Sequence, residues 1–171
     1  MNKVISSERC YLRRLGVNDD LRNYLYWMQT PSNNPFILSA SLSYNLTELK
    51  NFIYICNNRT DIILLGIFTN NDNVHIGNIK FDDINLLNKS ATLGILIGDK
   101  KYRGKGVARE VIMASVSWLQ DSYDIKTIRL GVNPDNLSAL NLYLKLGFMI
   151  IEETKMGGYV MEAKINELSG I

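Results

Sequence analysis

The sequence predicts one α/β domain, residues 1–171, in which helices cover both faces of a mixed, mostly antiparallel sheet. Strand-like alternation and helix-like spacing of three and four residues succeed each other along the chain. Short connectors rich in Asn, Asp and Gly separate these segments. With 171 residues, of which 46% are hydrophobic, the chain can bury a full core. The predicted order of elements is β-α-α-β-β-β-α-β-α-β-β.

The N-terminal part predicts one strand followed by two helices. Residues 9–14 alternate loosely, as a first strand would. Apolar residues three and four apart then predict a helix that ends before Pro31. Residues 30–44 contain two prolines and several Asn and Ser, which is typical of a loop, and helical spacing returns over residues 45–58.

The middle of the chain predicts an antiparallel meander and a long helix. The three strands are expected at residues 61–68, 74–81 and 91–97, since the connectors between them are short and polar. A loop rich in Gly and Lys follows. Apolar residues at helical spacing then predict a long amphipathic helix that begins near Gly106.

The C-terminal part predicts a strand at 126–132, a helix at 136–146 closed by Gly147, and a final pair of strands at 148–153 and 159–165. We expect the last strand near a sheet edge. From there it could pair with another copy of the chain in a homodimer.

Composition excludes several classes of protein. The net charge is +2, too small to indicate nucleic acid or an anionic membrane as a partner, although basic residues cluster at 100–105. Residues 1–9 contain no apolar core of signal-peptide length, and the longest apolar runs are strand-sized, so we expect a soluble cytoplasmic protein. The chain has two cysteines, Cys10 and Cys56, and one histidine, His75. We therefore expect no metal site and no disulfide, and we expect both cysteines to be small core residues.

The loop from Arg103 to Ala108 is a candidate anion site. It lies between a predicted strand and the long helix, where backbone N–H groups converge at the positive end of a helix dipole. Gly104 and Gly106 remove Cβ atoms that would hold a diphosphate away, and Arg103 and Lys105 add positive charge. Neither a Walker A loop nor a dinucleotide fingerprint fits. The structural alternative is a turn eased by glycine, with solvated lysines.

Two motifs resemble the GNAT acetyltransferases. Arg103-x-x-Gly106-x-Ala108 resembles the family's Arg/Gln-x-x-Gly-x-Gly/Ala signature, and the segment ending in Tyr143-x-x-x-Gly147-Phe148 resembles its strand–helix motif. The opening residues 7–13 resemble the RimJ/RimL-like branch. The resemblance covers nearly the whole chain. It implies the GNAT acyl-CoA N-acyltransferase fold, with acetyl-CoA as the acyl donor and no metal.

The resemblance also implies roles for individual residues. The strand before the loop would bind the pantetheine arm through its backbone, the loop would bind the pyrophosphate, and Tyr143 would be the general acid. The implied cofactor-binding residues are Leu96, Ile97, Gly98, Arg103, Gly104, Lys105, Gly106, Val107, Ala108 and Asn136. Each has a structural alternative: Tyr143 could pack between helix and sheet, Asn136 or Ser138 could cap the next helix, and the strand side chains could be core.

The general base and the acceptor are not fixed by the motifs. Many relatives carry a glutamate where this chain has Thr92, so Asp82, Asp83 and His75 are candidates by their chemistry alone. We expect the acceptor pocket between the 29–44 loop and the 154–159 hairpin, neither of which has an acidic run to attract a polyamine. An amino sugar, a sugar nucleotide or an amino acid would fit.

The sequence therefore predicts an acetyl-CoA-dependent N-acetyltransferase that acts on a primary amine of a small molecule. Three alternatives remain open at this point. The chain could acetylate protein N-termini, as ribosomal-protein acetyltransferases do, or bind acyl-CoA without chemistry. RNA binding through residues 100–105 is the third, and the low net charge disfavours it.

Overall fold

The computed structural model describes residues 5–37 and 40–169. These residues form eight strands, four α-helices and three short 3-10 turns. The strands are β1 (Ile5–Ser6), β2 (Cys10–Arg14), β3 (Ile63–Thr69), β4 (His75–Asn85), β5 (Ser90–Ile97), β6 (Thr127–Val132), β7 (Met149–Glu153) and β8 (Tyr159–Lys164). The helices are α1 (Arg22–Gln29), α2 (Leu46–Asn58), α3 (Val107–Tyr123) and α4 (Leu137–Leu146).

The predicted order of elements is confirmed, with one addition at the N-terminus. The meander β3-β4-β5 is antiparallel throughout, as its short connectors predict. Strand β1 was not predicted, because two residues carry no readable period. Strand β4 continues to Asn85 instead of ending at residue 81, through an irregular register after Asp82.

All eight strands belong to one sheet, in the order β1-β2-β3-β4-β5-β6-β8-β7. Every neighbouring pair is antiparallel except β5 and β6, which run parallel. This parallel pairing joins Ser90, Ala91 and Thr92 to the start of β6, and no further pair joins the described residues of the two strands. The second half of β5 therefore lacks a strand neighbour on that side, which leaves a wedge in the middle of the sheet.

The last strand lies near a sheet edge, as predicted, but it is not the edge strand, so the predicted pairing of this strand with another copy is wrong. Strand β8 lies between β6 and β7, and β7 is the edge strand. The reason is burial: Met161 and Ala163 of β8 are buried, whereas all five residues of β7 are exposed, including Ile150 and Ile151. A homodimer stays a prediction, and the open edge that a second copy could pair with is β7.

Two hydrophobic clusters confirm that helices cover both faces of the sheet. Helix α3 buries one apolar stripe against the sheet, including Val111, Val116 and Leu119. Helices α1 and α2 cover the other face, with Trp27 and Ile53 among their buried residues. No helix in the described part of the chain is both long and apolar enough to span a membrane.

The two cysteines are buried in different clusters, Cys10 on the α3 face and Cys56 on the α1–α2 face. Burial raises the pKa of the Cys10 thiol to about 11 and also raises that of Cys56. Both thiols are therefore protonated at neutral pH, as expected for small core residues and not for nucleophiles.

Candidate active site

A cavity of 460 Å³ opens where β5 and β6 separate. Three regions that the sequence analysis identified line this cavity: the end of β5, the loop from Arg103 to Ala108 before α3, and the first turns of α4. We call the loop from Arg103 to Ala108 the glycine loop. The predicted residues on the surface of the cavity are Leu96, Ile97, Arg103, Gly104, Gly106, Val107, Ala108, Asn136 and Tyr143. The fold thus brings most of the predicted cofactor residues to one place.

The glycine loop has the geometry of an anion site. Gly104 and Gly106 have φ values of +69° and +79°, in the left-handed region that glycine adopts at little cost. Gly106 is the N-cap of α3 and, without a side chain, leaves the first N–H groups of the helix uncovered. Because α3 is 17 residues long and begins at the cavity, the positive end of its dipole is directed at any ligand there.

Arg103 is held by the protein instead of projecting freely as a cation. Its Nε donates to the Ile97 carbonyl at 2.7 Å, and Nη1 donates to the Asn33 carbonyl at 2.9 Å. Its Nη2 donates to Asn34 Oδ1 at 2.6 Å and to the Gly98 carbonyl at 3.1 Å. These bonds fasten residues 33–34 to the end of β5. Arg103 therefore shapes the cavity wall, and its contact with a cofactor stays a prediction.

Two predicted cofactor residues, Gly98 and Lys105, do not line the cavity. The Gly98 N–H donates to the Ile76 carbonyl, so its backbone is already paired with β4. Lys105 is exposed, and its carbonyl accepts a 2.8 Å hydrogen bond from Arg9 Nη1. Arg9 also pairs with Glu110 of α3 at 2.7 Å, so the N-terminal segment braces the glycine loop from outside.

Tyr143 lies on α4 and faces the cavity while 8% exposed. Its ring packs edge-on against Phe148 at 5.9 Å between centroids. Burial raises the pKa of Tyr143 to about 12, so the phenol carries its proton throughout the physiological range. Tyr143 packs against Phe148 and also lines the cavity, so its packing does not exclude the predicted role as general acid.

Asn136 caps α4 and also lies at the cavity, so its contact with the cofactor stays a prediction. Its Oδ1 accepts from the Ala139 N–H at 3.3 Å and caps α4, while the residue lines the cavity. Asn133 is exposed and its Oδ1 accepts from the Asp135 N–H, so it stabilises the turn before the helix.

A second cavity, of 250 Å³, lies on the α1–α2 face of the sheet. It shares Ile37, Ile95 and Leu96 with the larger cavity, so the two meet at the second half of β5. We call the larger one the donor cavity (460 Å³) and this one the acceptor cavity (250 Å³), after the cofactor and the amine that the sequence predicts there. The polar residues of the acceptor cavity are Tyr24, Tyr44, Asn78 and Lys80.

The predicted acceptor loop is found at this cavity in part. Ile37 and Tyr44 belong to the 29–44 loop, in which Leu38 and Ser39 lie outside the described residues. The 154–159 hairpin joins β7 and β8 beyond β6 and lines neither cavity, so its part in an acceptor pocket stays a prediction.

His75 sets the orientation of the Asn78 amide beneath the acceptor cavity. The His75 Nε2 atom lies 3.0 Å from both the Gly77 carbonyl and Asn78 Oδ1. Because a carbonyl can only accept, Nε2 carries the proton, and the amide atom that faces it is the oxygen. The imidazole is enclosed by Trp27 and Phe68, and this burial lowers the pKa of His75, so the ring is neutral.

None of the candidate bases lines either cavity. Asp82 forms a 2.8 Å ion pair with Lys80, and in the β4–β5 register it lies opposite Thr92. Asp83 is exposed, and His75 donates its ring proton to two acceptors. No group of three or more His, Cys, Asp or Glu within residues 5–37 and 40–169 could hold a metal ion.

With this geometry in place, comparison with known proteins identifies the family. The family described as "Acetyltransferase (GNAT) domain" matches residues 9–149. The chain belongs to this GNAT family. Its match to a probable spermine N(1)-acetyltransferase of Bacillus subtilis subsp. natto is 33% identical over 60 residues. That match covers 35% of this chain and 40% of the relative, so it spans less than half of the relative's length.

Solved structures agree with the GNAT fold. A GNAT-family acetyltransferase from Bacillus anthracis gives a TM-score of 0.79 at 16% identity, covering 95% of this chain and 99% of that one. A spermidine N-acetyltransferase from Vibrio cholerae, solved with CoA and spermine, gives 0.75 at 21% identity, covering 93% and 97%. At these identities the likeness concerns the fold.

Several residues that line the donor cavity were not predicted. Asn33, Asn34 and Phe36 line the donor cavity because Arg103 fastens their loop there, and no periodicity marks such a contact. Arg109 also lines it, one residue after the motif. The sequence could have indicated this position, because Arg109 lies in the first turn of the predicted helix and side chains there lie beside the helix N-terminus.

The enclosed, neutral His75 predicts a specific pH dependence of stability. Its folded pKa lies below the unfolded value of about 6.5, so the unfolded state binds the proton first as pH falls. Stability is therefore complete above pH ~6.5 and decreases below it, by up to about 1.4 kcal/mol per pH unit. Urea unfolding between pH ~7.5 and ~5.5 measures this slope.

A His75→Phe variant is the control, because it keeps a ring among the aromatic neighbours and removes the only histidine of the chain. Its slope over the same interval should be close to zero. Carboxylates whose pKa is lowered, such as Asp19 and Glu110, lose their contribution at more acidic pH. Equal slopes in wild type and variant would show that His75 titrates normally in the fold.

Proposed function

We propose that this GNAT domain is an acetyl-CoA-dependent N-acetyltransferase that acetylates a primary amine of a small molecule directly. The observation that carries the proposal is the meeting of two cavities on one strand. The donor cavity contains the glycine loop, and the acceptor cavity reaches the same residues of β5, Ile95 and Leu96, from the opposite face. When bound, acetyl-CoA would supply an acetyl group already activated as a thioester.

The donor cavity fits such a cofactor in two ways. Residues 104–106 and the N-terminus of α3 present N–H groups and a positive dipole to a diphosphate. The second half of β5 has backbone groups without a partner strand, and an extended amide-containing arm can pair with them as an added strand would. Leu96 and Ile97 line the cavity, and because the Ile97 carbonyl already accepts from Arg103 Nε, the arm would pair with the remaining β5 backbone groups that face the wedge.

We propose that the Tyr143 phenol gives a proton to the departing sulfur. Transfer forms an N–C bond and breaks the thioester C–S bond, so the proton that leaves the amine balances the one that the thiol gains. The Tyr143 phenol remains protonated because burial raises its pKa to about 12. It can therefore donate a hydrogen bond, and a proton in the transition state, to the departing sulfur.

The amine must lose a proton before it can attack, and no described carboxylate or imidazole lines the acceptor cavity. We therefore propose that water in the acceptor cavity accepts this proton, and that β5 positions the amine. Asp82 follows Lys80 by two residues on β4, and its carboxylate already forms an ion pair with Lys80.

The size of the acceptor cavity supports a small molecule as the acceptor. Its 250 Å³ is below the roughly 300–1,000 Å³ typical of sites for drug-sized ligands. The opening motif at residues 7–13 supports placement in the RimJ/RimL-like branch, whose ribosomal-protein type of substrate is the second candidate. Turnover of a free amine supports the first candidate, turnover of a protein N-terminus supports the second, and turnover of neither supports a binding module without chemistry.

A leucine at Gly106 should abolish acetyl-CoA binding. A Cβ there would meet Arg9 Nη2 at 3.6 Å and would require a strained backbone at φ +79°, so the loop could not keep the shape that presents its N–H groups to the diphosphate. Calorimetric titration should give micromolar affinity for wild type and none for Gly106→Leu. Gly157→Leu is the matched control, since Gly157 has the same φ of +79° in a distant hairpin. Failure of wild type to bind acetyl-CoA would contradict the proposed function.

Removing the Tyr143 hydroxyl should slow catalysis without weakening the cofactor. Tyr143→Phe keeps the ring against Phe148, so we expect an unchanged Kd for acetyl-CoA and a kcat lower by about 10-fold to 100-fold. Because the Tyr143 pKa is raised to about 12, wild-type kcat should show no loss from this group up to pH ~10. A variant with full kcat would assign Tyr143 to packing alone.

A further inference from the structure

The acceptor cavity has an unusual balance of polar groups for a site that takes an amine. Its charged residue is the cation Lys80, and none of the described residues that line it is acidic. The eight residues outside the ranges 5–37 and 40–169 contain neither Asp nor Glu. The hydroxyls of Tyr24 and Tyr44 stay protonated, since burial raises the pKa of both phenols. The cavity therefore offers hydrogen-bond donors and a positive charge.

Lys80 and Asn78 are placed to act together. They are two residues apart on β4, so their side chains lie on the same face of the sheet. Leu96 lies opposite Asn78 in the register, and Gly94 lies opposite Lys80. A Cβ at Gly94 would meet nothing within 4 Å, so this point of the cavity floor is open. Both polar groups therefore adjoin the part of β5 that the donor cavity reaches from the other face.

Asn78 has a buried donor without a partner. Its Oδ1 accepts from His75 Nε2, which directs Nδ2 away from the imidazole. Asn78 is 5% exposed, and Nδ2 finds no hydrogen-bond partner among the described residues. A buried amide N–H without an acceptor is costly and uncommon in folded proteins. A ligand atom that accepts a hydrogen bond in the acceptor cavity would remove this cost.

Lys80 has capacity for a ligand as well. One N–H of its ammonium is directed at Asp82 Oδ2 at 2.8 Å, and the group lies 5.5 Å from the centroid of the Phe52 ring. Its side chain is 32% exposed, so the charge is partly withdrawn from water. Two further N–H donors remain for an anion, and a carboxylate is the simplest group that accepts from an ammonium and an amide at once.

We propose that the acceptor is a small primary amine that carries a carboxylate, with the carboxylate bound by Asn78 Nδ2 and Lys80. This proposal rests on the proposed function and specifies its substrate class. A polyamine would instead bring a second ammonium toward Lys80, and the carboxylate beside Lys80, that of Asp82, is already paired with it and does not line the cavity. The substrate class therefore differs from that in the name of the spermine acetyltransferase relative, whose match covers 40% of that protein.

The first experiment compares amines that differ in one end group. Sets of equal chain length carry an amine at one end and a carboxylate, a methyl group or a second ammonium at the other, as in 4-aminobutanoate, butylamine and 1,4-diaminobutane. We expect kcat/KM to be about 10-fold to 100-fold higher for the carboxylate than for the diamine, the value of one or two hydrogen bonds to a charged group. Equal values, or a preference for the diamine, would overturn the proposal.

The second experiment changes the two proposed ligands. Asn78→Asp keeps an oxygen for His75 and replaces the N–H donor with a second anionic oxygen, and Lys80→Gln removes the cation. Each should reduce the ratio of kcat/KM for carboxylate over diamine by about 10-fold or more. Lys126→Gln is the matched control, because Lys126 also forms a 2.7 Å ion pair with an aspartate but lies outside the acceptor cavity. An unchanged ratio in both variants would overturn the proposal.

Binding separates this proposal from the proposed function. With the protein saturated with coenzyme A, which cannot acylate, titration of 4-aminobutanoate and 1,4-diaminobutane measures selectivity without turnover. Selective binding of the carboxylate without any acetylation would sustain the substrate class and refute the enzyme. Acetylation of the diamine in preference to the carboxylate would do the reverse. If neither amine binds or reacts, the substrate class is overturned.

Discussion

The separation of β5 from β6 after three paired residues is the feature on which the other parts of the site depend. A continuous sheet would satisfy the backbone of β5 on both sides and leave no room at its centre. Because the strands part, the glycine loop, the N-terminus of α3 and the first turns of α4 converge on an open strand segment. The same segment is reached from the other face through the acceptor cavity. Two ligands could therefore meet through the sheet without crossing the hydrophobic core.

Several polar side chains that could bind ligands, judged from the sequence alone, instead hold this opening in place. Arg103 donates to Ile97 and Gly98 at the end of β5 and to the loop that contains Asn33 and Asn34. Arg9 and Glu110 brace the glycine loop from outside. His75, neutral and enclosed by aromatic rings, fixes the amide of Asn78. The polar groups left for ligands in the two cavities are therefore fewer, and their positions are better defined.

Much of the fold followed from periodicity and from the residues at turns. The meander and the helix that begins at Gly106 are strongly periodic, and Gly147 closes α4 as expected. The order of the last two strands did not follow, because the sequence gives local spacing while β8 inserts beside β6 through long-range burial of Met161 and Ala163. The site shows the same division. Asn78 and Lys80 share a face by strand alternation, yet their cavity depends on where α1 and α2 pack.

The most direct test of this account is hydrogen exchange of the β5 amides with and without coenzyme A. If the open half of the strand receives the cofactor, amides of residues 93–97 that face the wedge should exchange at least about 10-fold more slowly when coenzyme A is bound. Amides of β3, which is paired on both sides, should be unchanged. Coenzyme A that binds without protecting residues 93–97 would show that the separated strands do not form the cofactor site.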